Sequence, residues 1–348
     1  MRTRRQAVRL WGSSKDARST WYSATSRPEA IAVFARNVTH ELAVLTPGQG
    51  SQSPGMLTPW LEVDGARKRL AEWSEATGLD LIRLGTEADA DEIQDTAITQ
   101  PLIVAASLLA YEIGAERGLW PADAPVAGHS VGELAAAAIA GVLDATDAVA
   151  LAAVRGAEMA KACALAETSM AAVMMGDPDE VVAWLAEHGL SAANRNGAGQ
   201  IVASGPADAI AAIVADPLPG TKVRQLKVAG AFHTEYMAPA REALAGHAAK
   251  ITPRDPDRPL LSNADGAVVS SGKEYLDRLV SQVTSPVRWD LTMQTLAEIG
   301  VTSTVELPPA GTLTGLVRRQ LKGTVTGTTA IKVPADLDKL ADDSRESS

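Results

Sequence analysis

Apolar residues in this chain fall into two recurring patterns. Short unbroken runs bounded by Gly, Pro or Asn alternate with longer stretches in which apolar positions return every three to four residues. The runs Glu41–Thr46, Ala124–Ala127, Leu260–Asn263 and Ser303–Leu307 predict strands buried on both faces. Helical spacing predicts helices over about Met56–Thr77 and Thr99–Arg117, up to Ala140, over Asp144–Glu167 and Glu235–Ala249, near 273–282 and 290–299, and from about Gly311.

The segment between Ser169 and Val228 has a different rhythm. Met170–Met175 predicts a strand, and Pro178–Glu187 a helix with Pro in its first turn. Leu190–Asn196 and Gln200–Ser204 predict strands joined through Gly197 and Gly199, Pro206–Val214 a helix, and Lys222–Val228 a strand. That β-α-β-β-α-β order is the order of a ferredoxin-like unit. The expected fold class is therefore α/β. A core with a mostly parallel sheet spans 41–168 and 230–330, and a small ferredoxin-like subdomain is inserted at 169–229. Residues 331–348 are expected to form a polar C-terminal tail.

The length of 348 residues suits one large α/β domain with an insertion. A net charge of −10 argues against a nucleic-acid partner, and 4% aromatic residues make a poor base-stacking surface. No unbroken apolar run reaches about 18 residues, so neither a transmembrane helix nor a membrane partner is expected. One cysteine, Cys163, allows no internal disulfide, and a reducing cytoplasm is the expected location. Residues 1–40 stand apart, with eight basic and two acidic side chains. They lack the apolar centre of a secretory signal, and a poorly ordered basic tail without a catalytic role is expected there.

The chemistry begins at Gly128-His129-Ser130-Val131-Gly132, a G-x-S-x-G sequence between a predicted strand and a predicted helix. Such a turn lifts its serine clear and sets it at a helix N-terminus, where N–H groups favour an oxyanion. The alternative is an ordinary strand-to-helix turn that happens to carry serine. A serine nucleophile needs a base, and five histidines are available. His40 borders the basic tail, His188 and His247 fall on helices, and His129 neighbours the serine on a sharp turn that sends adjacent side chains apart. His233 remains, just after a predicted strand end, where α/β sites collect; its alternative is a satisfied loop histidine. The Ser-then-His order with no late histidine fits an ordinary esterase badly. Pro47-Gly48-Gln49-Gly50-Ser51-Gln52 follows the first strand. Its glycines permit close approach to a ligand, and the Gln49 N–H is a candidate oxyanion donor.

Together these segments resemble the malonyl-CoA:acyl carrier protein transacylases and the acyltransferase domains of polyketide synthases. The matching segments are Pro47–Gln52, Gly128–Glu133, Arg155-Gly156 with Met159, Gly230–His233, Gln282 through Trp289, and Glu306–Leu316. They run in family order from residue 41 to about 320. The resemblance implies a hydrolase-like core carrying the small subdomain. It implies Ser130 as acyl nucleophile, His233 as its base and Arg155 as the partner of a malonyl carboxylate. It further implies Gln282 as the group that accepts from and orients His233, and the Gln49 and Val131 N–H groups as the oxyanion hole. Phe232 would narrow the acyl pocket toward malonyl rather than methylmalonyl groups. Thr46, Ala166-Glu167-Thr168-Ser169 and Ser262-Asn263-Ala264-Asp265 depart from the family pattern, and none is expected to touch the machinery.

The implied activity is malonyl transfer from malonyl-CoA to the phosphopantetheine thiol of acyl carrier protein, supplying fatty acid biosynthesis, without metal or cofactor and by a monomer. A stand-alone polyketide acyltransferase, a serine thioesterase and a degenerate docking module are the rival readings. Carrier proteins of this system are acidic, as this chain is, so docking calls for a local basic patch. Lys222 and Arg224 with Lys227, or Arg318 and Arg319 with Lys322, are the candidates.

Overall fold

The computed structural model describes residues 40–346, with side chains to 342. Apart from His40, the predicted basic tail lies outside the described residues.

Among the described residues ten strands form two sheets. They are β1 (Leu42–Thr46), β2 (Val126–Gly128), β3 (Thr168–Met174), β4 (Ser191–Gly197), β5 (Gln200–Pro206), β6 (Lys222–Gln225), β7 (Leu260–Leu261), β8 (Val268–Val269), β9 (Ser303–Glu306) and β10 (Gly327–Ala330). The larger sheet has the order β10-β9-β1-β2-β7-β8 and is parallel except for β8, which runs antiparallel to β7. β1 lies at its centre, with Val44 opposite Val126 on one side and Leu42 opposite Ser303 on the other. Ala43, Val44 and Leu45 are fully buried, as expected of a strand covered by helices on both faces.

The smaller sheet is antiparallel, in the order β4-β5-β3-β6, with helices Pro178–Glu187 and Ala207–Ala215 in its two crossovers. It has its own apolar cluster of Val173, Leu185, Ile201, Ile210 and Ile213. A main-chain ladder ties it to the rest of the molecule. The Val287 N–H donates to the Ala193 carbonyl at 2.8 Å, and the Arg195 N–H to the Val287 carbonyl at 2.9 Å.

Two helices matter most for the site. Thr96–Glu116 is long and apolar enough to span a membrane, but 78% of its most apolar 18-residue stretch is buried inside the fold. Its apolar surface packs against protein, notably helix Ala145–Cys163. Gly156 makes that packing close, since a Cβ there would stand 2.5 Å from the Thr96 carbonyl oxygen. The closeness brings Gln100 on one helix beside Arg155 on the other.

Glu306, at the end of β9, is fully buried and caps the next helix, Thr312–Gln320. Its carboxylate accepts the N–H groups of Gly311, Leu313 and Thr314 and the Thr314 hydroxyl, at 2.7–3.0 Å. A buried carboxylate held by several donors at a helix N-terminus is well compensated.

Several expectations need correction. β6 stops at Gln225 rather than reaching Val228, so His233 follows a longer irregular segment. The stretch Met56–Thr77 divides into a 3₁₀ turn, Thr58–Glu62, and a helix, Ala66–Thr77. Residues 331–348 are not only a tail: helix Pro334–Glu346 follows β10 and buries Leu337. Its mostly polar surface hid the few apolar contacts that hold it. Helix Leu81–Thr86 and strands β8 and β10 were too short for a clear period.

Candidate active site

β2 turns into helix Gly132–Ile139 through Ser130, whose φ is +53°. That conformation costs a non-glycine residue about 1–3 kcal/mol. The flanking glycines make the turn possible. A Cβ on Gly128 would lie 2.2 Å from the Gly132 carbonyl carbon, and one on Gly132 would lie 2.3 Å from the Thr46 carbonyl oxygen. Asn263 holds both ends of the turn: its Oδ1 accepts the Ser130 N–H at 2.8 Å, and its Nδ2 donates to the Gly128 carbonyl at 2.7 Å. The Thr46 hydroxyl donates to the Gly132 carbonyl at 2.8 Å. Thr46 and Asn263 therefore do support the machinery, contrary to the expectation from sequence. Thr46 fills a buried position with a hydroxyl that finds a main-chain acceptor.

His233 also has a positive φ, +61°. Its loop is pinned to the small sheet by the Ser204 hydroxyl on the Phe232 carbonyl, 2.9 Å, and by the Ala231 N–H on Thr168 Oγ1, 2.9 Å. His233 Nε2 lies 2.9 Å from Ser130 Oγ, and Nδ1 lies 2.8 Å from the main-chain carbonyl of Gln282. A carbonyl only accepts, so Nδ1 carries the proton and Nε2 presents its lone pair to the serine. Gln282 does orient His233, but through its main chain rather than its side chain. Burial, and next the charge of Arg155, hold the imidazole down to about 3. His233 is thus neutral at physiological pH, the state a general base needs.

The Gln282 side chain serves Arg155 instead. Its Oε1 accepts from Arg155 Nη2 at 2.8 Å, while Gln100 Oε1 accepts from Nη1 at 2.6 Å. Nη2 also lies 3.3 Å from Ser130 Oγ. Arg155 is only 3% exposed, and among the described residues it has no carboxylate within ion-pair distance. Burial lowers its pKa to about 10, so the guanidinium stays charged. The two amides fix its fork without neutralising it.

Gln49 lies on the glycine loop after β1. Its Nε2 donates to Thr96 Oγ1 at 3.2 Å, and Gln100 Nε2 lies 3.5 Å from its Oε1. Gly48 presses on the elbow, since a Cβ there would come within 2.7 Å of the His129 carbonyl oxygen. The N–H groups of Gln49 and Val131 have no hydrogen-bond acceptor among the described residues. The cavity over Ser130 is lined by Gln49, Gln100, Arg155, Phe232, His233 and Leu316, among others. His129 turns away from its neighbour, as expected, with Nε2 2.9 Å from Asn196 Oδ1 and its ring edge-on to Trp289.

The structure brings together Ser130, His233, Arg155, Gln282, Gln49, Val131 and Phe232. Sequence reasoning missed Gln100, Glu133 and Asn263 as working members. Glu133 stood in the quoted elbow motif and Asn263 in a noted strand-end variant, so both carried a signal; Gln100, inside an apolar helix, carried none.

Residues 44–342 match the acyl transferase domain family. The chain is 56% identical over 301 residues to the malonyl CoA-acyl carrier protein transacylase of Mycobacterium tuberculosis, covering 86% of this chain and 99% of that one. It is 34% identical to the enzyme of that name from Escherichia coli, over 80% of this chain and 92% of the other. The crystal structure of MCAT from Mycobacterium tuberculosis superposes with a TM-score of 0.84 at 56% identity, over 87% of this chain and all of that one. Likeness at this level extends from the central strand to the C-terminal helix, and the chain belongs to the malonyl-CoA:acyl carrier protein transacylase family of acyl transferase domains.

Proposed function

We propose that this enzyme transfers the malonyl group of malonyl-CoA to the phosphopantetheine thiol of an acyl carrier protein, through a malonyl ester on Ser130, in support of fatty acid biosynthesis. The observation that carries this reading is Arg155, a buried cation with no carboxylate within ion-pair distance among the described residues, whose Nη2 stands 3.3 Å from the serine oxygen. A desolvated guanidinium beside the nucleophile favours an acyl group that brings its own carboxylate, and penalises one that does not.

His233 Nε2 takes the Ser130 proton as Oγ attacks the thioester carbonyl. The oxyanion forms against the N–H groups of Gln49 and Val131. Collapse expels the coenzyme A sulfur, which takes the proton back from His233, and the malonyl ester remains. The carrier thiol repeats the sequence in reverse: its proton goes to His233, its sulfur attacks the ester, and Ser130 leaves protonated. One thioester replaces another, so the cycle calls for no ATP, metal or cofactor. In this reading the enzyme is a cytoplasmic monomer, its larger unit is hydrolase-like, and its inserted unit is ferredoxin-like.

Phe232 lines the cavity and is buried. Its ring leaves little room for a branch at the acyl α-carbon. Malonyl-CoA is expected to acylate Ser130 faster than methylmalonyl-CoA by a steric term of about 1–3 kcal/mol, with acetyl-CoA slower than malonyl-CoA. Rates of acyl-enzyme formation with the three thioesters test this reading. Equal rates for malonyl- and acetyl-CoA would contradict it.

The carrier is proposed to dock on the small sheet. Lys222 and Arg224 are exposed on the edge strand β6 and have no ion-pair partner among the described residues. In the rival cluster, Arg318 is already engaged by the Thr328 hydroxyl at 2.7 Å. Reversing Lys222 and Arg224 to Glu is expected to raise KM for the carrier and leave acylation by malonyl-CoA intact. An unchanged carrier half-reaction at low salt, with slowing on reversal of Arg318 and Arg319, would move the dock to the closing helix.

A further inference from the structure

The carboxylate of Glu133 is 1% exposed, and among the described residues no cation lies within ion-pair distance of it. The transfer cycle above does not use it. It sits in the first turn of helix Gly132–Ile139, where an acid suits the helix dipole. Its hydrogen bonds, however, leave that helix. Oε1 accepts the Asn263 main-chain N–H at 2.6 Å, and Oε2 accepts from Gln282 Nε2. These two partners belong to the site, while the Tyr275 hydroxyl, behind them in the core, also bears on the carboxylate. Asn263 spans the serine turn, and Gln282 holds His233 with its main chain and Arg155 with its side chain.

An amide side chain can exchange its oxygen and its NH₂ by a half-turn. In one orientation Gln282 offers Oε1 to Arg155. In the other it would set NH₂ against the guanidinium, donor against donor. An ionised carboxylate accepts only, so Glu133 admits the first orientation and opposes the second. The Ser130 carbonyl, 3.1 Å from Gln282 Nε2, adds to the same choice. A buried carboxylate with no cation in direct contact is costly, and this one lies between two site residues.

We propose that Glu133 is a positioning residue that locks the orientation of the Gln282 amide and thereby aims Arg155 at the acyl carboxylate. The proposal rests on the transferase reading above. Glu133 acts on selectivity for a charged acyl group rather than on the nucleophile's reactivity as such.

The charged and titratable groups that face Glu133 are Tyr275 and Arg278 on helix Gly272–Gln282 and Arg155 on helix Ala145–Cys163. Burial raises the Glu133 carboxyl to about 7. Burial also raises Tyr275 well above its usual value, and Arg155 sits near 10, so neither titrates between pH 6 and 8. An acid with a raised pKa is ionised above that value and neutral below it. Protonated Glu133 would carry an O–H where Gln282 needs an acceptor.

The test is acylation of the full-length enzyme by malonyl-CoA and by acetyl-CoA from pH 6 to 8, in wild type, Glu133→Gln and Glu133→Asp. In the wild type the malonyl-to-acetyl ratio of kcat/KM is expected to fall several-fold as pH drops from 8 to 6. In Glu133→Gln it is expected to be roughly tenfold lower at pH 8, the scale of one lost charge-assisted hydrogen bond, to lie mainly in KM for malonyl-CoA, and to be flat with pH. Glu133→Asp keeps the charge and should recover part of the ratio and its pH dependence. A role confined to the helix dipole would lower Tm and leave the ratio alone. A wild-type ratio in folded Glu133→Gln overturns the proposal; if that variant does not fold, a wild-type ratio in folded Glu133→Asp, whose shorter carboxylate cannot hold both partners in place, overturns it instead. Absence of any malonyl uptake by the wild type would instead overturn the transferase reading, and this proposal with it.

Discussion

Replacing Ser130 with Ala is expected to abolish the malonyl-enzyme. Oγ is the atom within 2.9 Å of the neutral His233 Nε2, and it sits at the tip of a strained turn with two unused N–H groups nearby. Removal of a nucleophile that works as a unit with its base costs on the order of 10⁶ in rate. The side chain's hydrogen-bond partners, His233 and Arg155, both lie in the pocket, so the change should spare the fold. Intact-protein mass after exposure to malonyl-CoA reads the outcome. A malonyl adduct that persists in Ser130→Ala at the wild-type rate would place the nucleophile elsewhere.

The second large effect is expected at Arg155. Truncation to Ala removes the cation that lines the cavity over Ser130 and leaves the Gln100 and Gln282 amide oxygens without their donor. Breaking a buried charge pair on one side costs about 3–5 kcal/mol, a few hundred- to a few thousand-fold in kcat/KM for malonyl-CoA. Acetyl-CoA should lose far less, because the wild-type pocket sets a desolvated cation against its methyl group. The ratio of the two substrates is therefore the informative quantity. Arg155→Lys should fall between, since an ammonium keeps the charge but cannot span both amides as the guanidinium fork does. Equal losses for malonyl- and acetyl-CoA would assign Arg155 to structure alone.

What could be read in the chain beforehand depended on how local the cause was. The serine turn was legible because its requirements are close in sequence: a strand, two glycines that nothing larger can replace, and a helix. His233 could be reached by setting the other histidines aside. Most helices and strands of the core followed from their apolar period. Helix Pro334–Glu346 did not, since its core contact rests on few residues such as Leu337.

The wiring of the site was much less legible. Gln282 was expected to orient His233, and it does, but with the carbonyl that every residue has; its side chain is committed to Arg155 and Glu133. No periodicity distinguishes those two uses. Gln100 reaches Arg155 only because Gly156 lets two helices close, a contact between residues 55 apart. Asn263 reaches the Ser130 N–H across 133 residues. Such hydrogen bonds are set by how elements pack after they form, which explains why the residues that aim the catalytic groups were harder to find than the groups themselves.

The most direct test of malonyl transfer through Ser130 is a two-stage mass measurement on the wild-type enzyme. Malonyl-CoA is added first, the protein is freed of small molecules and weighed, and the modified peptide is sequenced. Phosphopantetheinylated carrier protein is then added and both proteins are weighed again. The expected result is one malonyl group on Ser130 that moves to the carrier thiol, returning the enzyme to its starting mass. Release of free malonate with no gain by the carrier, or a malonyl group found on another residue, would contradict it.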